Sequence, residues 1–420
     1  MNYKSVKGME DMLPQDAHNW QELERLARIM LGENGYKEIR TPILEETDIF
    51  VRSIGGETDI VKKEMFTFND RKERSLTLRP EGTAPIVRAY IEHSMDKISK
   101  IAQLYYIGPM FRSERPQKGR SRQFHQIGVE IIGSSSPQID GEAIFRLDGL
   151  LKLFGLKDFT IKLNSLGCKD DKAKFELQLK DYLRAEKSRL CDDCKVRMEK
   201  NVLRVLDCKN ENCKDVIRNA PDISLCDPCR DHFATVRACL KGENINFQLT
   251  KNLVRGLDYY TGTVFEVTHP NLGGQDALAA GGRYNNLVKG MGGPDVGACG
   301  FAIGMERVLI ALGCDLPNKP IVLYVATLGK EGRLEGFKQA EKIKKELNKD
   351  RLKIVTFMDF VESPLKSQMG TADKMGAKFV LIIGDDEISK GEAPLRDMAT
   401  KEQVMVKFSD IINTLKGKLC

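Results

Sequence analysis

Two apolar segments joined by a strongly basic loop constrain the fold of this chain more than any other feature. Leu104–Phe111 and Gln126–Ile132 are predicted strands, and the loop between them carries Arg112, Arg115, Arg120 and Arg122. Antiparallel neighbours can be joined directly, whereas parallel neighbours need a longer crossover, usually a helix. The pair therefore predicts an antiparallel sheet rather than a repeating βαβ layout.

Composition excludes several classes of protein. Hydrophobic residues make up 41% of the 420 positions and charged residues 30%. This composition favours a soluble protein with a hydrophobic core over a disordered chain. The formal net charge of +6 is small for this length, so any contact with nucleic acid must come from local basic patches. No apolar run approaches the ~18 residues of a membrane span, and the N-terminal residues lack a secretory signal. We expect a cytoplasmic protein without membrane attachment.

A helix followed by a strand opens the chain. Apolar residues repeat at helical spacing and so share one face: Leu23, Leu26, Ala27, Met30 and Leu31. Asp16 is the predicted N-cap, and the predicted strand Tyr36–Arg40 reaches Pro42. This arrangement is compatible with an edge or interface element.

The chain is predicted to divide into four segments. Residues 1–167 and 241–316 hold most of the predicted strands of residues 1–316, and residues 168–240, rich in Lys, Asp and Cys, are a predicted helical insertion. After the prolines Pro317 and Pro320, apolar strands alternate with helical patterns. That alternation predicts an independent α/β domain over residues 320–420.

Arginines, rather than a glycine loop, are the candidate nucleotide-binding groups. Neither Gly-x-x-x-x-Gly-Lys-[Ser/Thr] nor Gly-x-Gly-x-x-Gly after a strand is present. Arg112, at a strand end, could clamp a phosphate. On the next strand Gln126, Gly128 and Glu130 share one face, and such a polar face should meet a pocket or solvent. An exposed sheet face with a charged hairpin fits the same pattern, so both interpretations stay open.

Three further segments combine arginine with glycine. Arg255 lies in the predicted strand region Leu253–Val267, where either a tight polar site or a strand with a glycine bulge fits. Paired glycines in Ala280–Asn285 allow a close backbone approach to a ligand. Gly300–Arg307 is predicted as a strand, a glycine and the first turn of a helix, where Arg307 could help to seat a phosphate.

Taken in order, these blocks resemble the class II aminoacyl-tRNA synthetases and, within that class, the histidyl-tRNA synthetase family. The helix and strand that reach Pro42 resemble motif 1, Phe111–Glu114 resembles motif 2, and Gly304–Arg307 resembles motif 3. Leu253–Tyr260 and Ala280–Tyr284 resemble the two histidine-specific blocks. The resemblance covers essentially the whole chain.

The resemblance implies an α+β fold. A mixed, mainly antiparallel catalytic sheet, split between residues 1–167 and 241–316, would flank the insertion, and a C-terminal α/β anticodon-binding domain would follow. The implied activity is the ATP-dependent attachment of L-histidine to tRNA(His) through a histidyl-adenylate. Motif 1 implies a homodimer.

A catalytically inactive, synthetase-like regulatory subunit of histidine biosynthesis is the alternative function. Such proteins are expected to lack the motif arginines and the C-terminal domain. This chain keeps Arg112, Arg255 and Arg307 and the α/β tail, so the synthetase interpretation is favoured.

The resemblance also assigns the ATP site. Arg112 and Arg255 match arginines on either side of the α-phosphate, and Arg307 matches one at the γ-phosphate. Glu114 and Arg120 match positions near adenine and the terminal phosphates. Mg²⁺ is expected to bridge the β- and γ-phosphates. Positioned cations suit a transition state in which charge builds on the α-phosphate.

The histidine site is assigned in the same way. A neutral imidazole offers one donor and one acceptor, and Glu130 and Tyr260 match the family positions that pair with them. Residues matched to the α-amino end and the pocket wall complete the set: Glu81, Thr83, Gln126 and Tyr284.

Six of the 11 cysteines lie between Cys191 and Cys229, and the resemblance does not explain them. Two Cys-x-x-Cys pairs, Cys191 with Cys194 and Cys226 with Cys229, could hold a structural Zn²⁺. Their separation exceeds the usual spacing of a zinc ribbon, and Cys208 and Cys213 leave the ligand set ambiguous. A reduced, metal-free helical insertion fits equally well.

Overall fold

The computed structural model describes residues 3–56, 58–117, 119–274, 276–314, 316, 320–349 and 354–419. Contacts divide the chain into two compact units, residues 1–314 and 315–420. Pro317, one of the two prolines of the predicted linker, lies outside the described residues.

The larger unit contains both strands and helices, with α5 to α8 following one another without a strand between them. In chain order its elements are α1 (Pro14–Glu33), β1 (Lys37–Glu38), β2 (Leu44–Glu46), α2 (Thr47–Ile54), β3 (Phe66–Asn69), β4 (Ser75–Leu78), α3 (Thr83–Glu92), β5 (Ala102–Phe111), β6 (Gln123–Ile132), α4 (Pro137–Leu153), β7 (Thr160–Ser165), α5 (Lys169–Ala185), α6 (Asp192–Lys200), α7 (Glu211–Arg218), α8 (Asp227–Gly242), β8 (Phe247–Leu249), β9 (Thr261–Thr268), β10 (Ala277–Arg283), α9 (Leu287–Gly290), β11 (Ala298–Gly304) and α10 (Met305–Leu312).

Eight strands form the main sheet in the order β1-β5-β6-β11-β10-β9-β7-β8. The outermost pairs, β1 with β5 and β7 with β8, are parallel, and the pairs between them are antiparallel. This confirms the mixed, mainly antiparallel sheet. β2, β4 and β3 form a separate antiparallel sheet.

The two strands that flank the basic loop are paired as predicted. β5 and β6 run antiparallel, with Leu104 opposite Glu130 and Tyr106 opposite Gly128. β6 also pairs with β11, where Glu130 lies opposite Gly300. The polar face of β6 is buried at Gly128 and Glu130 and half-buried at Gln126. The exposed-face interpretation is therefore wrong for Glu130, which is 1% exposed.

The opening helix is confirmed, but its start is earlier than predicted. α1 buries Leu23, Ala27 and Leu31. Leu13 is the N-cap and Pro14 begins the helix, so Asp16 lies in the first turn instead of capping it. Proline suits this position because its missing N–H would have no helical partner there. The strand after the helix is shorter than predicted and contains only Lys37–Glu38.

The segment that carries Arg255 is not a strand in its first half. Residues 253–260 form a loop, and β9 begins at Thr261. Apolar side chains in this loop pack into the core: Leu253, Val254, Tyr259 and Tyr260 are all buried. Burial therefore explains the apolar pattern without a strand.

The insertion is helical, as predicted, and its core is continuous with that of residues 1–167 and 241–316. Leu179, Met198 and Val216 of the insertion belong to the same buried cluster as Tyr260 and Tyr284. The insertion is thus packed onto the sheet rather than standing apart.

The smaller unit is the predicted α/β domain. Its elements are β12 (Ile321–Thr327), α11 (Gly329–Lys349), β13 (Ile354–Met358), α12 (Leu365–Lys374), β14 (Phe379–Ile383), α13 (Asp385–Lys390), β15 (Glu392–Asp397), β16 (Gln403–Lys407) and α14 (Ile411–Leu419). The strand order is β13-β12-β14-β15-β16, with β12 parallel to both β13 and β14. None of the helices described in either unit has the length and apolarity needed to cross a membrane.

Candidate active site

A cavity of about 820 Å³ gathers the residues predicted to bind the nucleotide. All five of these line it, together with Gln126: Arg112, Glu114, Arg120, Arg255 and Arg307. They come from the loop after β5, the loop before β9 and the first turn of α10. The fold therefore brings together groups that are up to about two hundred positions apart in the sequence.

The loop after β5 holds two arginines around one carboxylate. Arg120 Nη1 donates to Glu114 Oε2 at 2.7 Å, and Arg112 Nη1 lies 3.9 Å from Glu114 Oε1. Arg112 Nε donates to the carbonyl oxygen of Pro80 at 2.9 Å, and its guanidinium lies 5.2 Å from the centre of the Phe124 ring. These contacts fix the direction of Arg112 while leaving part of its guanidinium for another partner.

Arg307 is held at the start of α10 by backbone oxygens. Its Nε donates to the carbonyl of Gly119 at 3.1 Å, and its Nη1 donates to the carbonyl of Ala277. Burial lowers the pKa of Arg307, and the positive charges of Arg120 and Arg112 lower it further. An anion bound among Arg112, Arg120 and Arg307 would relieve the mutual repulsion of these three guanidinium groups.

Arg255 pairs with a carboxylate that the sequence did not single out. Arg255 Nη1 donates to Glu266 Oε2 at 2.6 Å, and both residues line the cavity. The Nε of Arg255 is buried and has no hydrogen-bond partner among the described residues. A buried donor without a partner is costly, so it marks a place where a ligand oxygen could bind.

Glu130 is the centre of the predicted histidine site. Thr83 Oγ1 donates to its Oε1 at 2.6 Å, and the Tyr284 hydroxyl donates to its Oε2. Burial raises the pKa of Glu130 to about 8, and the nearby charge of Glu81 adds to the rise, against the two hydrogen bonds that lower it. A group with this pKa is only partly ionised near neutral pH, so a cation or N–H donor would favour its carboxylate form.

Glu81 lies at the N-terminus of α3, and its carboxylate is occupied by the backbone. Its two oxygens accept the N–H groups of Thr83 and Ala84, each at 2.8 Å. The Tyr259 hydroxyl lies 3.5 Å from Glu81 Oε2. A carboxylate has further lone pairs, so this capping role leaves room for one more donor.

Four tyrosines surround the two carboxylates: Tyr106, Tyr259, Tyr260 and Tyr284. All are buried, and burial raises the pKa of each hydroxyl above its usual range. These side chains are therefore neutral hydrogen-bonding groups. Tyr259 lies in the predicted block Leu253–Tyr260 but was given no role of its own, and Tyr106 was not predicted. The register that places Tyr106 opposite Gly128 is visible only in the structure.

Glycines make space for this cluster. A Cβ added at Gly300 would lie 1.9 Å from Glu130 Oε2, because the two residues are opposite each other on β11 and β6. A Cβ at Gly128 would lie 2.1 Å from the Tyr106 ring. Glycine is therefore needed between Gln126 and Glu130 on this strand face, because a larger residue at position 128 would clash with Tyr106.

Gln126 is a predicted histidine-site residue that also lines the cavity of the nucleotide-binding residues. Its Oε1 is buried without a hydrogen-bond partner among the described residues. Its strand face also carries Glu130. The remaining predicted histidine-site residues do not line the cavity and are buried beyond it: Glu81, Thr83, Glu130, Tyr260 and Tyr284.

The block Ala280–Tyr284 contains two neighbouring residues with different environments. Tyr284 meets Glu130, whereas Arg283 forms an ion pair with Asp140 at 2.5 Å. Arg283 also donates to the carbonyls of Ser134 and Ser136 at 3.1 and 2.8 Å. Arg283 therefore acts in the structure of the sheet rather than in the pocket.

The structure separates the cysteine pairs that the sequence grouped into one metal site. Cys191 and Cys194 lie with Cys208 and Cys213, whereas Cys226 and Cys229 lie with Cys168 and Asp171. The predicted set of Cys191, Cys194, Cys226 and Cys229 is therefore corrected. Cys191 and Cys194 lie at the start of α6, and Cys226 and Cys229 lie at the start of α8. The start of α6 packs near Cys208 and Cys213, whereas the start of α8 packs near Cys168 and Asp171.

Comparison with known proteins agrees with this geometry. A family model described as "Histidyl-tRNA synthetase" matches residues 8–308. The chain belongs to the histidyl-tRNA synthetase family. A second model, described as an anticodon binding domain, matches residues 323–418, within the smaller unit.

Relatives of the family are similar over the full length. The histidine–tRNA ligases of Halothermothrix orenii and Thermosipho melanesiensis are each 45% identical to this chain. The matches cover 99% of this chain in both cases, and 99% and 98% of the respective relatives.

Solved structures share the fold. Apo histidyl-tRNA synthetase from S. aureus has a TM-score of 0.78 at 34% identity, over 99% of this chain and 100% of that chain. A Bacillus halodurans structure titled "ATP phosphoribosyltransferase regulatory subunit/histidyl-tRNA synthetase" has a TM-score of 0.64 at 22% identity, over 91% of this chain and 99% of that chain. At that identity it shows similarity of fold alone.

Proposed function

We propose that this protein is a histidine–tRNA ligase that activates L-histidine with ATP and transfers the histidyl group to tRNA(His). The observation that carries the proposal is the buried pair of carboxylates, Glu130 and Glu81, beside a cavity lined by Arg112, Arg255 and Arg307. The pair of carboxylates suits a cationic, hydrogen-bond-donating amino acid, and the arginine-lined cavity suits a polyphosphate.

On the nucleotide side, Arg112 and Arg255 would contact the α-phosphate and Arg307 the γ-phosphate. Glu114 and Arg120 would lie near the adenine and the terminal phosphates. As the histidine carboxylate attacks the α-phosphorus and the bond to the departing pyrophosphate breaks, negative charge would develop on the oxygens of the pentacoordinate phosphorus. The fixed guanidinium groups would stabilise that charge. Their backbone hydrogen bonds support this role, because they hold Arg112 and Arg307 before the substrate arrives.

ATP would enter as its Mg²⁺ complex, in which the ion would offset the negative charge of the phosphates. Mg²⁺ prefers oxygen ligands, and Glu64 and Glu114 supply carboxylates that line the same cavity. Burial raises the pKa of Glu64, and the charge of Glu114 raises it further. A divalent cation between them would relieve that repulsion.

On the amino-acid side, Glu130 would accept the imidazole N–H, and the Tyr260 hydroxyl would donate to the other ring nitrogen. Glu81, Thr83 and Gln126 would hold the α-amino group, and Tyr284 would line the pocket. The orphaned Oε1 of Gln126 supports this assignment, since an ammonium N–H would satisfy it. Discrimination by such buried polar groups can reach ~10⁴ against an apolar analogue.

The proposed partners follow from the same assignment. The family match of residues 323–418 supports contact of the smaller unit with the anticodon of tRNA(His). A homodimer through α1 and β1, and a cytoplasmic location, are further parts of the proposal. Sedimentation of the purified protein would show a dimer mass if the first of these is right.

The regulatory-subunit alternative is less well supported. Arg112, Arg255 and Arg307 are present and line one cavity, and the smaller unit matches an anticodon binding domain. The full-length relatives at 45% identity are named histidine–tRNA ligases.

Exchange of pyrophosphate into ATP tests the function directly. We expect exchange with histidine and none above background with the other standard amino acids. Folded protein that shows no histidine-dependent exchange would contradict the proposal.

Glu130→Gln tests the amino-acid site within the same assay. We expect the KM for histidine to rise at least ~10-fold, because Gln presents an N–H group to the imidazole N–H, while the KM for ATP changes less than ~3-fold. Glu33→Gln, at an exposed position, is the matched control. Equal losses for both substrates would remove Glu130 from the histidine site.

A further inference from the structure

Four cysteine thiols of the insertion converge on one point. The sulfur atoms of Cys191, Cys194, Cys208 and Cys213 all lie within 4.8 Å of one another. Cys191 Sγ and Cys208 Sγ are 3.8 Å apart. Among the described residues every cysteine has a free thiol, so the cluster is not a pair of disulfides.

The spacing of the sulfurs matches a tetrahedral metal site. A Zn–S bond of about 2.3 Å in a regular tetrahedron places ligand sulfurs about 3.8 Å apart. The sequence spacing is Cys-x₂-Cys-x₁₃-Cys-x₄-Cys, which brings one close pair from α6 to a second pair around the start of α7. Four thiolates in this geometry select zinc or iron rather than a hard cation.

Backbone N–H groups already point at two of the sulfurs. The N–H of Cys191 donates to Cys213 Sγ at 3.3 Å, and the N–H of Asn210 donates to Cys208 Sγ at 3.4 Å. Such outer hydrogen bonds stabilise the negative charge of thiolate ligands and fix their direction. Neutral thiols in an ordinary core would be stabilised much less by these N–H hydrogen bonds, because they carry no negative charge.

The cluster is also closed to solvent on one side. Cys194 and Cys213 are fully buried and belong to the same apolar core as Leu203 and Val205. Four protein ligands would leave no open coordination position on the metal, which is typical of structural rather than catalytic zinc.

We propose that Cys191, Cys194, Cys208 and Cys213 bind one structural Zn²⁺ that fixes the insertion against the nucleotide cavity. Cys191 and Cys208 line that cavity, as do Asp207 and Arg204 from the segment between α6 and α7. Arg204 Nη2 in turn lies 3.3 Å from Asp59 Oδ2, across the cavity wall. The ion would therefore hold the segment that faces bound ATP.

The second cluster, formed by Cys168, Asp171, Cys226 and Cys229, has a simpler explanation. Asp171 accepts the N–H of Cys226 at 3.2 Å with both oxygens and the N–H of Cys168 at 3.4 Å. These bonds cap the starts of α5 and α8, so they explain the position of the Asp171 carboxylate without a metal ion. The second cluster therefore supplies matched cysteine controls within the same insertion.

Metal content of the full-length protein is the first test. After purification without chelators, we expect wild type and Cys229→Ser to carry about one more equivalent of zinc per chain than Cys208→Ser and Cys213→Ser. The measurement does not depend on synthetase activity, so failure of the proposed function would leave it intact. Equal zinc content in wild type and both Cys208→Ser and Cys213→Ser, or loss of zinc in Cys229→Ser instead, would overturn the proposal.

Cobalt substitution of the wild-type chain tests the ligand set even if the serine variants do not fold. Wild-type protein stripped of metal and titrated with Co²⁺ should show the visible bands of a tetrahedral tetrathiolate complex, complete at about one equivalent. Added Zn²⁺ should displace the Co²⁺ and abolish the bands. A Co²⁺ spectrum without tetrathiolate bands would overturn the proposal.

Limited proteolysis tests the structural role. We expect the metal-free chain to be cleaved within residues 191–218 at least ~10-fold faster than the zinc form, and re-added Zn²⁺ should restore protection. Identical cleavage of the two forms would show that the ion does not hold this segment.

Discussion

The pKa of Glu130 is determined by the surroundings of its side chain more than by the residue type. Its carboxyl group is buried beside Glu81 and receives hydrogen bonds from Thr83 and Tyr284. Burial outweighs those bonds and raises its pKa to about 8. Burial therefore favours the neutral, protonated form of Glu130 until a donor or cation binds beside it.

This raised pKa predicts the pH dependence of stability. Native Glu130 keeps its proton up to about pH 8, whereas the unfolded chain releases it above the ordinary value of 4.5. The unfolded state binds fewer protons in this window, so wild type loses stability as pH rises through it. Glu130→Gln lacks this loss, and its stability relative to wild type should improve by at least ~1 kcal/mol between about pH 5 and pH 9.

Urea denaturation of both proteins at the two pH values would measure the effect. The exposed Glu33→Gln variant should show a constant difference from wild type. A constant difference for Glu130→Gln as well would mean that Glu130 is not protonated in the native state.

Gly300 provides a steric prediction at the same scale. The added Cβ of Gly300→Ala would lie 1.9 Å from Glu130 Oε2 and 2.4 Å from the carbonyl oxygen of Val129. Glu130 must then move, so the KM for histidine should rise at least ~10-fold in pyrophosphate exchange. Gly274→Ala, which also lines the cavity but has no atom within 4 Å of its added Cβ, should behave like wild type.

At the scale of elements, a buried ion pair joins β10 to α4. Arg283 is 1% exposed and Asp140 is fully buried, and Thr263 and His232 also hydrogen-bond to Asp140. Tyr284, the residue that follows β10, donates its hydroxyl to Glu130 at the proposed histidine pocket. Arg283 thus anchors the end of β10 to α4, and the next residue, Tyr284, contacts Glu130.

Removal of one partner should be costly at this position. Arg283→Met removes the guanidinium that pairs with the buried Asp140 carboxylate and leaves only Thr263 and His232 as its side-chain partners. This change should lower the free energy of unfolding by about 3–5 kcal/mol. Arg74→Met, which breaks an exposed pair with Asp70, should change it by less than ~1 kcal/mol. Urea denaturation curves measure both, and similar values for the two variants would contradict the anchoring role.

At the scale of the whole molecule, the proposed substrate sites are unequally distributed between the two units. Every residue assigned to ATP or histidine lies within residues 1–314, and the anticodon-domain match lies within residues 315–420. Amino-acid activation and tRNA recognition should therefore be separable.

A chain that ends after Cys314 tests this separation. We expect it to keep histidine-dependent pyrophosphate exchange within ~10-fold of the full chain, because the adenylate site is complete. Charging of tRNA(His) should fall at least ~100-fold, because the proposed anticodon contact is lost. Undiminished charging by the shortened chain would remove the smaller unit from tRNA binding.

Local patterns predicted a large part of the architecture. The apolar stripe of α1, the antiparallel pairing of β5 with β6, and the strand–glycine–helix at Gly300–Arg307 all follow from short-range periodicity. The family resemblance added the order of the blocks, and the family itself is confirmed. The loop at residues 253–260 was wrongly predicted as strand, because burial of an irregular segment produces a similar apolar pattern.

The sequence by itself determined the strand and helix periods, the cation-rich loop, and the family to which the chain belongs. Only the tertiary structure decided which distant groups meet: Arg255 with Glu266, Tyr284 with Glu130, and Cys191 with Cys208 rather than with Cys226. The reason is physical, since periodicity records the exposure of each residue along one element. Proximity between elements, and the burial that raises the pKa of Glu130, depend on how the whole chain packs.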